Sequence, residues 1–354
     1  MKKYFIFLII TTIIVLACNK SDENTSTIDT FHQEYYNVNI YPALINFKTE
    51  IEEQVNLTAQ FKSSKTEENF NNLKEQWLVT AKSYAKISAY NLVAVKTLFY
   101  DILIYNFSIN TTTIENNILE NVTFNSDYFN TKSTASKGLG TLEYLLYNNQ
   151  DSDEAFKLLQ ENPNRINYLE GVSNEVLVQS NLLIEFWETE YKEDFINSTS
   201  ISCTQNARCL AFNQLINVLD VIRVTKVGKP AGLENSSNSS VESLEAFRSE
   251  SSLELIKSAI EEVENAYSNS SVNFADLVDE IADSSEISTA IDASFNDVYT
   301  HINAINTSLY TAIINDNSNV DALYTSLFDL VKYFSVDAAS TLSVNVLPTD
   351  NDGD

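Results

Sequence analysis

The sequence predicts an all-α protein, and three observations support this fold class. Glycine and proline, which interrupt helices, are scarce: the 354 residues include 6 glycines and 4 prolines. Hydrophobic residues make up 44% of the chain, which is enough for a sizeable core. Over most of the chain these residues recur every three or four positions, the spacing of one buried helix face. A chain of this length is expected to form one large or two ordinary domains.

The first residues have the pattern of an export signal. Lys2 and Lys3 precede an apolar run that is too short to span a membrane, which predicts a signal peptide over residues 1–17. The run ends in Val-Leu-Ala-Cys, which resembles a bacterial lipobox with Cys18 as the lipidated residue. An ordinary secretory leader with an incidental cysteine is the alternative. The polar residues 18–30 predict a tether, so we expect a protein held at the outer membrane or cell surface by lipid on Cys18.

The charge of the chain limits its partners. The formal net charge is −27. Nucleic acids and anionic lipid surfaces repel a protein of this charge, which excludes nucleic acid as an expected partner. Cations and basic proteins are favoured instead, although the solubility of a surface protein also explains the charge.

Residues 31–197 predict an N-terminal helical bundle. Ser64-x-x-Glu67 has the pattern of a capping box at a helix start. The helix after it is indicated by an apolar stripe: Phe70, Leu73, Trp77, Ala81 and Tyr84. A further helix is predicted over residues 91–107 and a polar loop over residues 122–136. Asn162-Pro163 marks the start of another long helix, because proline is tolerated at the first helical position.

Two closely spaced glycines, Gly138 and Gly140, precede another predicted helix. Its apolar face consists of Leu142, Leu145 and Leu146. Glu143 is predicted to lie in its first turn, where the free N–H groups and the positive end of the helix dipole favour a carboxylate. Glycine lets the backbone turn sharply or lets another group approach closely. A capped helix start accounts for these residues, and a ligand site is the alternative.

A polar stretch after residue 197 predicts a domain boundary, with residues 198–354 forming a C-terminal helical bundle and an acidic tail. Cys203 and Cys209 are the only other cysteines besides Cys18. An envelope compartment permits a disulfide between them, and two free thiols are equally compatible with the sequence. On one continuous helix they would lie about 9 Å apart, too far for a bridge, so a disulfide requires Cys203 to lie in the loop.

The C-terminal segment predicts further helices. Ser251-x-x-Glu254 and Asp283-x-x-Glu286 fit capping boxes. The second of these opens a helix whose apolar stripe continues to Ile313. Basic residues near the end of an earlier helix, Arg223 and Lys226, suit its dipole and are alternatively contacts for an anion. The alternating apolar residues of the tail predict a short strand: Leu342, Val344 and Val346.

The segment from Lys137 to Tyr147 resembles the signature of the imelysin family, envelope proteins of bacteria that are linked to iron uptake and grouped with the metallopeptidases. That signature is Gly-x-His-x-x-Glu followed by an aromatic residue and leucines. Gly138 and Glu143 match its glycine and glutamate, and Gly140 stands at the position of its histidine. A histidine and a glutamate three apart share one helix face and can hold a metal ion together.

Three later segments resemble the same family in the same order. They are the Lys-Val-Gly-Lys-Pro-Ala-Gly turn that begins at Lys226, the serine-rich segment around Ser251, and the terminal Asp-Gly-Asp that begins at Asp352. The resemblance implies two helical bundles packed face to face with a cleft between them. It also implies a metal or ligand site at Gly138, Gly140, Glu143 and Asp352, and a cleft lined by Arg223, Lys226 and Ser251.

The resemblance implies iron or another divalent or trivalent metal as ligand, or haem, and iron-uptake proteins of the envelope as partners. Catalysis is not expected. A zinc peptidase needs about three protein ligands, often histidines, and the chain has only His32 and His301. We therefore expect a non-catalytic binding protein of iron or haem acquisition. A metal-dependent peptidase with an altered site is the alternative.

Overall fold

The computed structural model describes residues 26–120, 122–234 and 238–351. These residues are mostly helical, and none of them lies in a β-strand, so the predicted all-α class is confirmed. The predicted signal peptide, Cys18 and Asp352 lie outside the described residues. Within the described part of the chain, the helices are all too short or too polar to cross a membrane.

The segment up to residue 197 contains eleven α-helices in its described part. They are α1 (Ser26–Tyr35), α2 (Tyr41–Ser63), α3 (Glu67–Ile87), α4 (Val93–Lys96), α5 (Tyr100–Ile104), α6 (Thr111–Ile118), α7 (Ser126–Asn130), α8 (Gly138–Tyr147), α9 (Ser152–Glu161), α10 (Pro163–Phe186) and α11 (Lys192–Ile196). Helix α1 begins inside the predicted tether. Helix α2 packs along α3 and α10, and α8 packs against α10 and α3.

The rest of the described chain contains eight α-helices. They are α12 (Ala207–Val221), α13 (Lys229–Ala231), α14 (Ser252–Glu264), α15 (Phe274–Ala282), α16 (Glu286–Ala304), α17 (Leu309–Asn315), α18 (Ser318–Lys332) and α19 (Ala339–Thr341). Helix α16 packs on α18, and α12 packs on both α14 and α18. Helix α14 also packs along α3, which joins the two segments.

Several long helices continue into short π-helical turns, in which the backbone carries one extra residue per turn. The longest extends α12 through Ile222–Gly228 and carries Lys226. Such turns redirect the side chains that follow them and occur often at functional sites. The left-handed residue that ends this region is Gly232, whose φ is +73°.

The buried side chains form one continuous core across both segments. Trp77 and Trp187 are fully buried in the first segment, and Phe212 and Phe334 stack in the second with ring centroids 5.6 Å apart. Burying each aromatic ring removes a large apolar surface from water. Because the core is shared, the boundary at residues 197 and 198 stays a prediction.

The helix predicted over residues 91–107 is wrong. The chain forms the short helices α4 and α5, and Phe99 between them has a left-handed backbone with φ of +59°. An aromatic residue adopts this conformation at a cost, and the Phe99 side chain is 60% exposed, so the buried residues on either side of it, Val95 and Ile104, impose the break. Periodicity could not predict the break because apolar spacing continues across it. The loop predicted over residues 122–136 contains α7 and a 3₁₀ turn.

Other expected helix ends also differ. Thr66, and not Ser64, caps α3, because its side chain accepts the N–H of Asn69. Asp283 ends α15 in a left-handed conformation and does not begin α16. Helix α16 stops at Ala304, and α17 continues the apolar stripe as a separate helix. The expected strand in the tail is absent from the described residues.

Candidate functional site

Glu143 lies in the second turn of α8, one turn later than predicted, and is 1% exposed. Its carboxylate therefore does not cap its own helix. Oε1 accepts hydrogen bonds from the backbone N–H of Ser249 at 2.9 Å and from its hydroxyl at 3.1 Å. The guanidinium of Arg248 lies 4.0 Å from Oε2. Glu143 thus binds a loop that lies more than 100 residues later in the chain.

The loop that receives Glu143 covers residues 244–251 and is tightly turned. Ala246 and Glu250 both have a left-handed backbone, with φ of +57°. Ser251 donates its N–H to the carbonyl of Ala246, and its hydroxyl bonds the carbonyl of Ser249. Ser251 therefore holds the loop together, and although it occupies the N-cap position of α14, its side chain makes no capping bond there. Two strained residues around Ser249 are maintained only because the surrounding contacts fix them.

Burial raises the pKa of Glu143 to about 7 from 4.5. The hydrogen bonds from Ser249 and the charge of Arg248 act in the opposite direction but do not outweigh the loss of hydration. The carboxyl group is consequently protonated in a substantial fraction of molecules near neutral pH. The same burial lowers the pKa of Arg248, while Glu143 raises it.

Gly138 and Gly140 allow α8 to approach the chain that follows α5. A Cβ at position 138 would lie 2.7 Å from the carbonyl oxygen of Ile104, and Gly138 has φ of +81°. A Cβ at position 140 would lie 2.3 Å from the carbonyl oxygen of Asn106. Both distances are below van der Waals contact, so the backbone itself occupies the place of a side chain at position 140.

A second set of charged contacts surrounds Tyr144, the residue after Glu143. Its hydroxyl donates to Glu115 Oε1 at 2.8 Å, and Arg165 binds the same oxygen at 2.6 Å. The Arg165 and Arg248 guanidinium groups lie 5.5 and 5.7 Å from the centre of the Tyr144 ring. These contacts stabilise the orientation of α8 between two parts of the chain.

The signature residues do not fit a metal ion. Glycine at position 140 supplies no ligand atom, and Glu143 Oε1 is already bound by Ser249. Among the described residues, no three histidine, cysteine, aspartate or glutamate side chains converge as metal ligands. His32 and His301 are both distant in sequence from α8, and His301 lies 3.6 Å from Asp297 on its own helix. A tetrahedral peptidase site needs more ligands than these residues provide.

A cleft of about 210 Å³ lies between the two segments. From the first segment it is lined by α3, α5 and the chain after α5, and from the second by α12, its π-turn and the loop of residues 244–251. Its polar lining residues include Asp101, Tyr105, Asn217, Lys226, Glu245 and Asp350. Lys226 and Glu245 form an ion pair at 2.6 Å. Tyr105 is 6% exposed, and its hydroxyl has no hydrogen-bond partner among the described residues.

The tail of the chain is bound along α12 by a polar stripe on that helix. Asn213 donates to the carbonyl of Asn345 and accepts the N–H of Leu347. Asn217 bonds the backbone N–H and the carboxylate of Asp350 in the same two-way manner. Residues 345–351, which we call the strap, are therefore held along α12.

Two further side chains, Asp220 and Lys96, bind the strap. Asp220 accepts hydrogen bonds from Thr349 and Asn351. Burial favours a raised pKa for Asp220, but these bonds and one from Arg223 outweigh it, so the pKa is lowered. Lys96 binds both oxygens of Asp350, at 2.8 and 2.9 Å, and so connects the strap to the first segment.

The remaining predicted site residues lie in different places. Lys226 lines the cleft, but Arg223 pairs with Asp220 and with Glu234. Cys203 lies in the loop before α12 and forms a disulfide with Cys209 in the first turn of that helix, with Cα atoms 5.0 Å apart.

Sequence reasoning missed Tyr105 and the stripe of Asn213, Asn217 and Asp220. The spacing of the stripe, four and then three residues, puts three polar groups on one face of an otherwise apolar helix. This spacing is visible in the sequence and could have been used to predict the polar stripe.

These features define a class of helical protein in which two segments enclose a cleft and a buried glutamate of the first segment binds a loop of the second. The model of the imelysin family (peptidase M75) matches residues 40–333, and the chain belongs to that family. Its fold is similar to an imelysin-like protein from Psychrobacter arcticum 273-4, with a TM-score of 0.74 and 17% identity over 90% of this chain and 96% of that one.

A second similar structure is a protein from Parabacteroides distasonis ATCC 8503, named as a putative iron-regulated protein A precursor. The TM-score is 0.73 and the identity is 16%, over 88% of this chain and 94% of that one. At this identity the likeness establishes the fold alone. The comparison with curated proteins found no match.

Proposed function

We propose that this imelysin-family protein is a non-catalytic envelope protein that binds a small ferric complex in the cleft between its two segments, as part of iron acquisition. Its family membership supports a role related to iron, as does the name of the Parabacteroides distasonis protein. The cleft, and not the signature glutamate, is the binding site in this proposal.

The observation that carries the proposal is the unpartnered hydroxyl of Tyr105 in the cleft. A buried hydroxyl without a partner costs about 1–3 kcal/mol, and a ligand that enters the cleft beside Tyr105 would supply the missing partner. Asp101, Glu245 and Asp350 line the same cleft. Phenol and carboxylate oxygens are hard donors of the kind that suits ferric iron.

The cleft favours a small chelate over a bare ion or haem. Asp350 is bound by Lys96 and Asn217, and Glu245 by Lys226, so these carboxylates are already neutralised. A chelate brings its own ligands to the metal and needs only hydrogen bonds and ion pairs from the protein. Ligands of drug size occupy pockets of roughly 300–1,000 Å³, and the cleft of about 210 Å³ is too small for haem.

The geometry of the signature argues against the peptidase alternative. Hydrolysis at a metal requires an open coordination position and a free general base. The Asn106 carbonyl fills the position of the missing histidine, and Glu143 holds the loop of residues 244–251. In this proposal the signature glutamate joins the two segments.

Isothermal titration calorimetry with ferric citrate tests the binding function. We expect saturable binding that weakens about tenfold in Tyr105→Phe, because one hydrogen bond to a charged ligand is lost. Tyr333→Phe, at an exposed tyrosine, is the matched control and should bind as the wild type does. No saturable binding by the wild type, or equal binding by Tyr105→Phe, would count against the cleft.

The anchor is a further part of the proposal. The lipobox-like sequence before Cys18 supports a lipid on this cysteine at the outer membrane or cell surface. The mass of the mature N-terminal peptide tests it, since a lipidated Cys18 would be heavier by its acyl chains. An unmodified N-terminus at another residue would contradict the anchor.

A further inference from the structure

A second cleft, of about 730 Å³, lies beside the disulfide and shares no lining residue with the cleft described above. Its walls come from α1, the loop between α11 and α12, the start of α12 and the residues that precede the strap. Residues that line it include His32, Asn197, Ser200, Ile201, Arg208 and Leu342. Its volume lies within the range of about 300–1,000 Å³ that small-molecule sites usually have.

Arg208 in this cleft differs from the other arginines of the chain. The chain has four arginines, and all lie in the described part. Arg165, Arg223 and Arg248 each have a carboxylate within 4.0 Å, whereas Arg208 has no carboxylate partner among the described residues. In a chain with 49 acidic residues, an arginine without an acidic partner stands out. Arginine presents a planar set of donors that matches carboxylate and phosphate oxygens.

His32 on α1 lines the same cleft and supplies a second polar group. Burial lowers the pKa of His32 and the nearby charge of Arg208 lowers it further, while a hydrogen bond with the backbone of Ile196 acts in the opposite direction. An anion bound between the two side chains would offset the charge of Arg208. The pKa of His32 would then rise, which favours the protonated ring. One wall of the cleft therefore carries a permanent positive charge, and another carries a group that becomes positive when an anion arrives.

The loop that forms the third wall is held in one conformation. The Cys203–Cys209 disulfide closes it, Asn206 Nδ2 donates to the carbonyl of Ser200, and Ser198 accepts the N–H of Ala207. A rigid loop loses little conformational freedom when a ligand binds, so its contacts contribute more fully to affinity.

We infer that this cleft is an anion site for a phosphate-bearing ligand, held by Arg208 and His32. The inference is carried by Arg208, which lies beside His32 and has no carboxylate partner among the described residues, by the volume and by the fixed loop, and it is independent of the cleft proposed for a ferric complex. Free phosphate compounds and phospholipid headgroups share this chemistry. The net charge of −27 repels anions at long range, so binding is local and is best measured at 0.15 M salt, where charges are screened beyond about 8 Å.

Titration with inorganic phosphate, followed by calorimetry and by proton NMR of the two histidines, tests the inference. Phosphate should raise the pKa of His32 and leave the NMR signals of His301 unmoved. Arg208→Gln should weaken phosphate binding by about tenfold or more. Lys157→Gln, which removes the same charge from an exposed helix, is the matched control and should bind normally. His32→Gln gives a second variant, also expected to weaken binding.

Vesicles distinguish the two sources of phosphate. Binding to phosphatidylglycerol vesicles and not to phosphatidylcholine vesicles, lost in Arg208→Gln, would assign the site to an anionic headgroup even if free phosphate binds poorly. If neither free phosphate nor phosphatidylglycerol vesicles bind, or if both bind Arg208→Gln as well as wild type, the inference is overturned.

Discussion

The partners of Glu143 in the fold decide what its carboxylate does. The sequence places it on a helix beside two glycines, and that much is confirmed. Its partners, Ser249 and Arg248, could not be predicted, because no local pattern links side chains more than 100 residues apart. The same carboxylate is therefore a loop-binding group in the structure and a metal-ligand candidate in the sequence.

Replacing Glu143 by glutamine tests the effect of its burial. The folded protein binds the proton of Glu143 more tightly than the unfolded chain does, with pKa values of about 7 and 4.5. The resulting stabilisation is complete below pH 4.5 and is lost as the pH rises through 7. Glu143→Gln, which is always neutral, should be more stable than wild type at pH 8 by about 1–3 kcal/mol, and similar to it at pH 5.

Urea unfolding at both pH values measures this difference. Glu185→Gln removes the same charge from the exposed side of α10 and controls for the general effect of lowering the negative charge. A pH-independent difference, or a Glu143→Gln protein that is less stable at pH 8, would contradict the raised pKa.

At the scale of helices, the position of α8 depends on the absence of a side chain at residue 140. Restoring the family histidine with Gly140→His would force a Cβ to 2.3 Å from the Asn106 carbonyl. Overpacking of this kind costs about 1–3 kcal/mol or more, because α8 or the chain after α5 must shift. We expect lower stability and no gain in zinc or iron binding.

Thermal unfolding and metal analysis check this prediction. Ala293→His introduces the same side chain at an exposed position on α16 and should leave stability nearly unchanged. A Gly140→His protein that is as stable as wild type and binds a stoichiometric metal ion would show that the helix position is adjustable and that the family site can be rebuilt.

The helices themselves were largely predictable, because each buries an apolar stripe. Their interruptions were not. Phe99 adopts a left-handed conformation that is uncommon for an aromatic residue, and Asp283 adopts one that aspartate tolerates but does not require. Both side chains are exposed, so no stripe of buried residues predicts these turns. The apolar stripe through α16 and α17 likewise predicts one helix, whereas the structure has two. Both helices pack on α18, so the spacing of their apolar residues continues across the break.

At the scale of the whole molecule, the strap connects the two segments. Asn213 and Asn217 bind its backbone, and Lys96 holds Asp350 from the first segment. In an Asn213→Ala, Asn217→Ala protein four hydrogen bonds are lost, each worth about 0.5–1.5 kcal/mol. The strap should then detach more often, so that carboxypeptidase removes residues 345–351 at least about tenfold faster.

Intact mass measured over time follows the trimming. Asn296→Ala changes an exposed asparagine that bonds only its own helix, and it should be trimmed at the wild-type rate. Equal trimming of the double variant and the wild type would mean that the polar stripe does not hold the strap.

The cleft was only partly predictable from the sequence. The family resemblance implies that Lys226 lines a cleft, and Lys226 lies in the lining of this one. Tyr105 and Glu245 could not be found, because they meet only when the chain after α5 packs against the loop of residues 244–251. When the residues of a site come from two distant segments, neither segment alone contains a sequence pattern that predicts the site.

The strap also affects the order in which parts of the molecule can fold during synthesis. A ribosome makes residues 345–351 after every other described residue, yet these residues supply Asp350 to Lys96 and a covering for α12. Until they emerge, the polar face of α12 lacks its partners and the first segment lacks one of its links to the second. A growing polypeptide therefore cannot assemble the finished entrance to the cleft until residues 345–351 have left the ribosome.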